Sequence, residues 1–263
     1  MKNQLNIIIL SSPIPSNPST KVIDKTIESL SLLRYPVDSK IILAHDYPAP
    51  ESKNKDAYFK YYKILEHKYK HQDNIITTIA PKFVHMAGNL RNAFNYVDSQ
   101  YVLVLSHDFI FVRSVDINLL ISDMDQNPKL KHVRFNKRKN TPRGGDCDTR
   151  GKSSCEVFNK FSVSANHEYI STSCWSDINH ISPVHYYRDI ILKECSDGRN
   201  LESFFYSKIK NMYEKNNDDL TAQTHEKYGN YLFDELGANP YIYHTDGREA
   251  FDGRENHDHD KTY

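Results

Sequence analysis

In the first hundred positions apolar residues fall into short unbroken runs, and between the runs they recur every three or four positions. The runs are Asn6–Leu10, Lys40–Ala44 (KIILA), Asn74–Ile79 and Tyr101–Leu105 (YVLVL). Segments of this length, apolar on successive residues, predict strands covered on both faces. After the first run, the loop SSPIPSNPS leads to Ser19, a candidate cap, and then to Ile23, Ile27, Leu30 and Leu33 at helical spacing. Asp56 to Lys70 predicts a second helix with Tyr58, Tyr61, Tyr62 and Leu65 inward. Asn89 to Val97 predicts a third through Leu90, Ala93, Phe94 and Val97. Strands alternating with helices define the α/β class, with a Rossmann-like, mostly parallel central sheet flanked by helices.

Beyond residue 115 the pattern loses its regularity. Lys131–Phe135 reads as a further strand, and Ser182-Pro183 opens a helix over VHYYRDIILKE. Leu201–Lys215 is a helix with Phe204, Phe205, Ile209 and Met212 inward, and Asn239–His244 is a late strand. No repeat and no linker interrupts residues 1–250, so one domain is expected. It comprises a nucleotide-binding half to about residue 115 and a smaller, irregular acceptor-side half from 116 to 250. The polar tail of residues 251–263 follows, and its His-Asp doublets, His257 to Asp260, are either a solvated tail or metal-like.

In a parallel sheet ligands gather beyond the carboxyl ends of the strands. That rule selects three places: the loop after Leu10, the pair His45-Asp46, and the pair His107-Asp108. A carboxylate just past a buried strand, such as Asp108, either caps a turn or holds a divalent cation against phosphate oxygens. His244, closing the YIYH strand, is either an ordinary hydrogen-bonded residue or a further cation ligand.

Charge and composition narrow the classes. Lys+Arg and Asp+Glu are equal at 34 each. That balance argues against a nucleic-acid partner, which calls for a basic face. No apolar run reaches the ~20 residues of a membrane helix, and the amino terminus lacks the apolar core of a signal peptide. Cys147, Cys155, Cys174 and Cys195 form neither a C-x-x-C pair nor a zinc spacing. A soluble protein of the reducing cytoplasm is the expectation.

Three segments carry a family resemblance: NIIILSSPIPSNPSTKVIDKTIESL, IILAHDYP and GNLRNAFNYVDSQYVLVLSHDFIFV. CWSDINHI and YIYHTDGR add later blocks, so that the likeness runs from Asn6 to Arg248. The chain resembles GT-A glycosyltransferases, and among them the family-2-like nucleotide-diphospho-sugar transferases of bacteria and large viruses. The likeness implies transfer of a sugar from a nucleotide diphosphate, with UDP favoured, to a hydroxyl of a glycan or other acceptor, inverting and assisted by Mn²⁺ or Mg²⁺. It implies that Ser12, Pro13 and Pro15 lie under the nucleoside, that Asp46 meets base or ribose, and that Arg91 faces base or phosphates. A surface ion pair is the alternative for Arg91. Asp108 matches the last carboxylate of the family's D-x-D motif, which here reads Ser106-His107-Asp108 without its first carboxylate. Asp108 and His244, with His107 beside them, would then hold the cation together with the diphosphate.

An inverting transfer also needs a general base for the acceptor hydroxyl. Glu202, opening the LESFFYSKIKN helix, matches the family's place for it, unless it merely favours the helix dipole. Asp177 in CWSDINHI competes for the role, and Trp175 beside it is either a plate for a sugar or core. The loop from 137 to 152, with Lys137, Arg138, Lys139, Arg143, Gly144, Gly145 and Arg150, either closes over the phosphates or is solvated. Two other readings compete: a non-catalytic nucleotide- or glycan-binding module of the same fold, and a metal-dependent phosphohydrolase suggested by the 13 histidines.

Overall fold

The structure is a computed structural model that describes residues 4–140, 161–172, 175–213 and 218–245. The tail from 251 to 263, Cys147, Cys155, Cys174, Arg143, Gly144, Gly145 and Arg150 lie outside the described residues.

Strand β1 (Leu5–Ser11) leads through the proline-rich loop to helix α1 (Lys21–Ser29), a 3-10 turn and the short β2 (Leu33–Arg34). Then follow β3 (Lys40–His45), α2 (Lys55–Tyr69), β4 (Ile75–Ile79), α3 (His85–Ala93) and β5 (Tyr101–Ser106). Each first-half run forms its strand to within one residue at either end. After β5 a two-residue turn at His107-Asp108 leads the chain into β6 (Phe109–Phe111), followed by β7 (Val115–Asp116) and α4 (Ile117–Gln126). Asp116 caps α4 by accepting from the Asn118 and Leu119 N–H groups.

The second half is more regular than its sequence pattern. It holds β8 (His132–Arg134), β9 (Val163–Ser164), β10 (Glu168–Ser171), β11 (His180–Pro183) and β12 (Asn230–Phe233), which together supply five strands of the nine-stranded central sheet. Among their residues are His132, Arg134, His180, Ser182 and Asn230, all buried, so the continuous apolar signature is missing. Helix α5 runs over Val184–Tyr186, a π-helical Tyr187–Ile191 and Leu192–Glu194; α6 (Leu201–Tyr213), α7 (Asp218–Tyr228) and β13 (Ile242–His244) complete the described elements.

The sheet order is β4-β3-β1-β5-β11-β8-β12-β10-β9. β4, β3, β1 and β5 are parallel, and across the whole sheet all but β11 and β10 run the same way. Alternation along the strands feeds two cores. Ile7, Ile9, Leu43, Leu103 and Leu105 face α1, α2 and α4. Ile8, Leu10, Ile42, Ala44, Val102 and Val104 face α3, α5, α6 and α7. The chain leaves β1 first toward β3 and β4 and later returns to β1's other side as β5, so the topological switch lies between β1 and β5. That crevice is where an open α/β sheet accommodates a ligand.

Candidate active site

Six segments reach the carboxyl edge of the sheet around this switch. Four are the ends of parallel strands, carrying Ser12, Asp46, His107-Asp108 and Asn136-Lys137. The fifth is the Ser176–Asn179 segment, which enters antiparallel β11 from the same edge. The sixth is the amino end of α6, with Glu202.

Asp108 sits in the tight turn between β5 and β6. Strand β13 pairs antiparallel with β6, His244 opposite Phe109, and so lays His244 beside the turn. His244 Nε2 is 3.1 Å from Asp108 Oδ2, and its ring stacks on Phe109 at 4.5 Å. Thr245 donates from N–H and hydroxyl to the Asp108 carbonyl, at 2.8 and 2.9 Å. Burial would raise the Asp108 carboxyl, but the His244 contact and the nearby His107 outweigh it and hold the group below its ordinary value. His107 points back into the molecule: its Nδ1 lies 3.2 Å from the Leu10 carbonyl, which can only accept, so Nδ1 carries the proton.

Across the crevice, Ser176–His180 is braced from beneath. Trp175 is fully buried, stacks on His132 at 5.0 Å and donates its indole N–H to the Tyr186 hydroxyl at 3.2 Å. This indole is core and offers no face to a sugar. His132 Nε2 lies 2.9 Å from the Ser176 carbonyl. The Asn179 side chain accepts from the Ser106 N–H at 3.2 Å, while its backbone carbonyl accepts from Phe135 at 2.9 Å. Asp177 is thereby presented at the edge from a rigid base. Burial first, the Glu202 charge second and Asp108 more weakly push its carboxyl up to about 7, with Lys137 acting in the opposite direction. Glu202 accepts a hydrogen bond from the Ser176 hydroxyl.

Asp46 is buried, and its Oδ1 accepts from the Val84 N–H at 3.2 Å, tying the β3 edge to the start of α3; burial raises its carboxyl. Ser12 and Pro15 are exposed and Pro13 half-buried on a loop closed by Asn17, whose side chain accepts from Ile14 N–H at 2.9 Å. The Arg91 guanidinium donates to the carbonyls of Leu192 (2.6 Å) and Cys195 (2.9 Å) and pairs with Asp197. It locks α3 to the end of α5, close to the ion-pair alternative. Cys195 is a free, buried thiol.

Asp108 and His244 close on each other, and no group of three His, Cys, Asp or Glu side chains able to hold a metal occurs among the described residues. One carboxylate and one imidazole fall short of the six or so ligands of Mg²⁺ or Mn²⁺. These residues do not make a metal centre by themselves.

Sequence reasoning missed Asn136 and Ser176. Asn136 follows β8 and fastens the strap that leads into β13: its amide donates to the carbonyls of Arg138, Ala238 and Asn239, and its oxygen accepts from Tyr241 N–H at 3.2 Å. Nothing in the local pattern announces it. Ser176 lay inside CWSDINHI, overshadowed by its neighbours Trp175 and Asp177.

A mixed α/β layout with a large, mostly parallel sheet flanked by helices, and polar residues converging at its switch point, is a GT-A-like fold. Among solved structures the chain is similar to S. aureus TarS, with TM-score 0.50 and 14% identity over 94% of this chain and 38% of that one. The TarS 1–349 piece gives TM-score 0.50 and 12% identity over 94% of this chain and 62% of that one. The same piece in complex with UDP-GlcNAc gives 0.49 and 11% over 91% and 58%. The chain thus spans well under two thirds of the full TarS chain and slightly less than two thirds of the shorter piece. No family model and no curated protein matches. No helix among the described residues is long and apolar enough to cross a membrane.

Proposed function

We propose that the protein is a glycosyltransferase that moves a sugar from a nucleotide-diphosphate donor to a hydroxyl acceptor, with inversion. The observation that carries this reading is the convergence of Asp108, Asp177, Glu202, His244 and Lys137 at the carboxyl edge beside the β1–β5 switch, on a GT-A-like fold. The donor would lie across the switch, its nucleoside over the loop of Ser12, Pro13 and Pro15 near Asp46, its diphosphate toward Asp108 and His244. Uridine is the base that the family resemblance favours. The acceptor hydroxyl would approach Asp177. As its oxygen bonds to the anomeric carbon, its proton passes to the Asp177 carboxylate, and the bond to the diphosphate breaks with its electron pair leaving on the nucleotide. A base that titrates near neutrality suits that task, because it is ionised enough to act and basic enough to take the proton. Arg91, committed to α5, is left out of the proposed site.

A divalent cation would be held by Asp108 and His244 only in company with the donor's own oxygens, since the side chains alone do not complete a site.

Calorimetric titration of UDP, UDP-GlcNAc and the corresponding guanosine and adenosine diphosphates, each with and without Mn²⁺, tests the reading. Saturable binding of one nucleotide diphosphate is expected, with a thermal shift equivalent to about 2.7 kcal/mol at a hundredfold excess over Kd. Binding strengthened by Mn²⁺ in the wild type but not in Asp108→Asn supports the cation; equal binding in both removes it. Binding without turnover of any sugar donor would favour the non-catalytic module, for which the incomplete cation site is the specific support. No binding at all contradicts the proposal.

A further inference from the structure

Two carboxylates reach the same edge from separate elements, Asp177 from the segment before β11 and Glu202 from the first turn of α6. They are linked through Ser176, which neighbours Asp177 in the chain and donates its hydroxyl to Glu202. Ser176 is itself immobilised. Its carbonyl takes the His132 Nε2 proton at 2.9 Å, and a carbonyl only accepts, so the His132 tautomer is fixed with Nδ1 facing the Ser182 hydroxyl at 3.3 Å. The residue before it, Trp175, is locked in the core. Ser176 thus ties the Glu202 carboxylate to the segment that carries Asp177, its hydroxyl oxygen also lying 3.5 Å from the Ile178 N–H.

Resting on the reading of Asp177 as the base, we propose that Glu202 is a positioning residue: its clamped negative charge sets how strongly Asp177 holds a proton, and Ser176 is the clamp. The groups facing Asp177 divide by sign. Glu202 from α6 and Asp108 from the β5–β6 turn raise its proton affinity, as does burial. Lys137 beyond β8 and the Asp177 N–H lower it. Tyr187 of α5 also senses the Asp177 charge, and its hydroxyl is taken up by His180. The Ser176 hydroxyl holds one Glu202 oxygen and so fixes the orientation of that carboxylate, which suits a positioning charge.

The test is a carbon-13 NMR titration of the intact protein labelled at aspartate carboxyls, with the Asp177 signal assigned by its loss in Asp177→Asn. Wild-type Asp177 is expected to titrate near pH 7. Glu202→Gln keeps the shape and removes the charge, and should lower that midpoint by about one pH unit. Ser176→Ala releases the clamp and should lower it by less; it also serves as the second variant if Glu202→Gln does not fold. A midpoint unchanged or raised in both variants overturns the proposal, and no donor or acceptor is needed for this arm. The acid limb of turnover, measured in parallel, should move down with the NMR midpoint. If the midpoint moves and the limb does not, the pairing stands but Asp177 is not the base, and the positioning role falls with it.

Discussion

Replacing Asp177 by asparagine should make the protein more stable at alkaline pH while sharply reducing the proposed transfer activity. The Asp177 carboxyl is pushed from its ordinary 3.8 to about 7, by burial first and the Glu202 charge second. The folded protein therefore binds the proton more tightly than the unfolded chain between these values, and wild-type stability falls as pH rises from about 4 to 7. Above pH 7 the cost is fully present. A gap of about three pH units at 1.36 kcal/mol each sets a ceiling on the order of 4 kcal/mol. Asparagine cannot ionise, but its amide meets part of the same burial cost, so a gain of about 1–3 kcal/mol at pH 8 is expected. At pH 4.5, where the folded carboxyl is protonated, the gain should shrink toward zero. Urea denaturation followed by fluorescence of Trp175, the single tryptophan and a buried one, measures this directly. Asp177→Asn less stable than wild type at pH 8, or equally stabilised at both pH values, would refute the electrostatic description of the site.

Asp123 of α4 is fully buried and accepts from the Asn166 and His167 backbone N–H groups, both of their side chains and the Tyr169 hydroxyl. Burial opposes its charge, but these donors outweigh it and hold the carboxyl below its ordinary value. Its contribution is present above the unfolded value and lost as pH falls through the folded one. Asp123→Ala should cost about 3 kcal/mol or more at pH 7 in chemical denaturation, and less below pH 3. Asn136→Ala frees the strap before β13, and is expected to cost about 1–3 kcal/mol and to weaken donor binding through the loss of His244 from Asp108; unchanged binding would remove Asn136 from the support of the site. Gly229 has φ +49°, and a Cβ there would lie 2.4 Å from the Lys129 carbonyl oxygen. Gly229→Ala should therefore lose more than about 1 kcal/mol, whereas Gly237→Ala, with φ +93° but open space around it, should show backbone strain without the clash.

The first half of the fold was legible because β1, β3 and β5 are apolar on successive residues, the mark of strands covered on both faces, and the β-branched run IITTI marks the half-buried edge strand β4. In the second half the strand over Lys131–Phe135, the late strand ending at His244 and the helices from Val184 and Leu201 were legible too; β10, β11 and β12 were not, being short and burying polar residues such as His180, whose hydrogen bonds rather than hydropathy justify its burial. The carboxyl-edge rule and the resemblance between them named Asp108, His244, Asp177 and Glu202, and the fold brings these four to one place. Their mutual arrangement was not legible, since it depends on pairing between β6 and β13 and on the brace under Ser176. Arg91 illustrates the limit of spacing alone: its helix is where the pattern put it, but the carbonyls that capture its guanidinium come from about a hundred residues further along.

The most direct measurement is release of nucleoside diphosphate from a panel of nucleotide sugars, with water and a hydroxyl-rich glycan mixture as acceptors, by wild type, Asp177→Asn and Asp108→Asn. Turnover of one donor is expected, reduced about a hundredfold or more in Asp177→Asn with its nucleotide affinity retained. Turnover undiminished in Asp177→Asn, or none from any donor by wild type, would contradict the assignment of this edge as a sugar-transfer site.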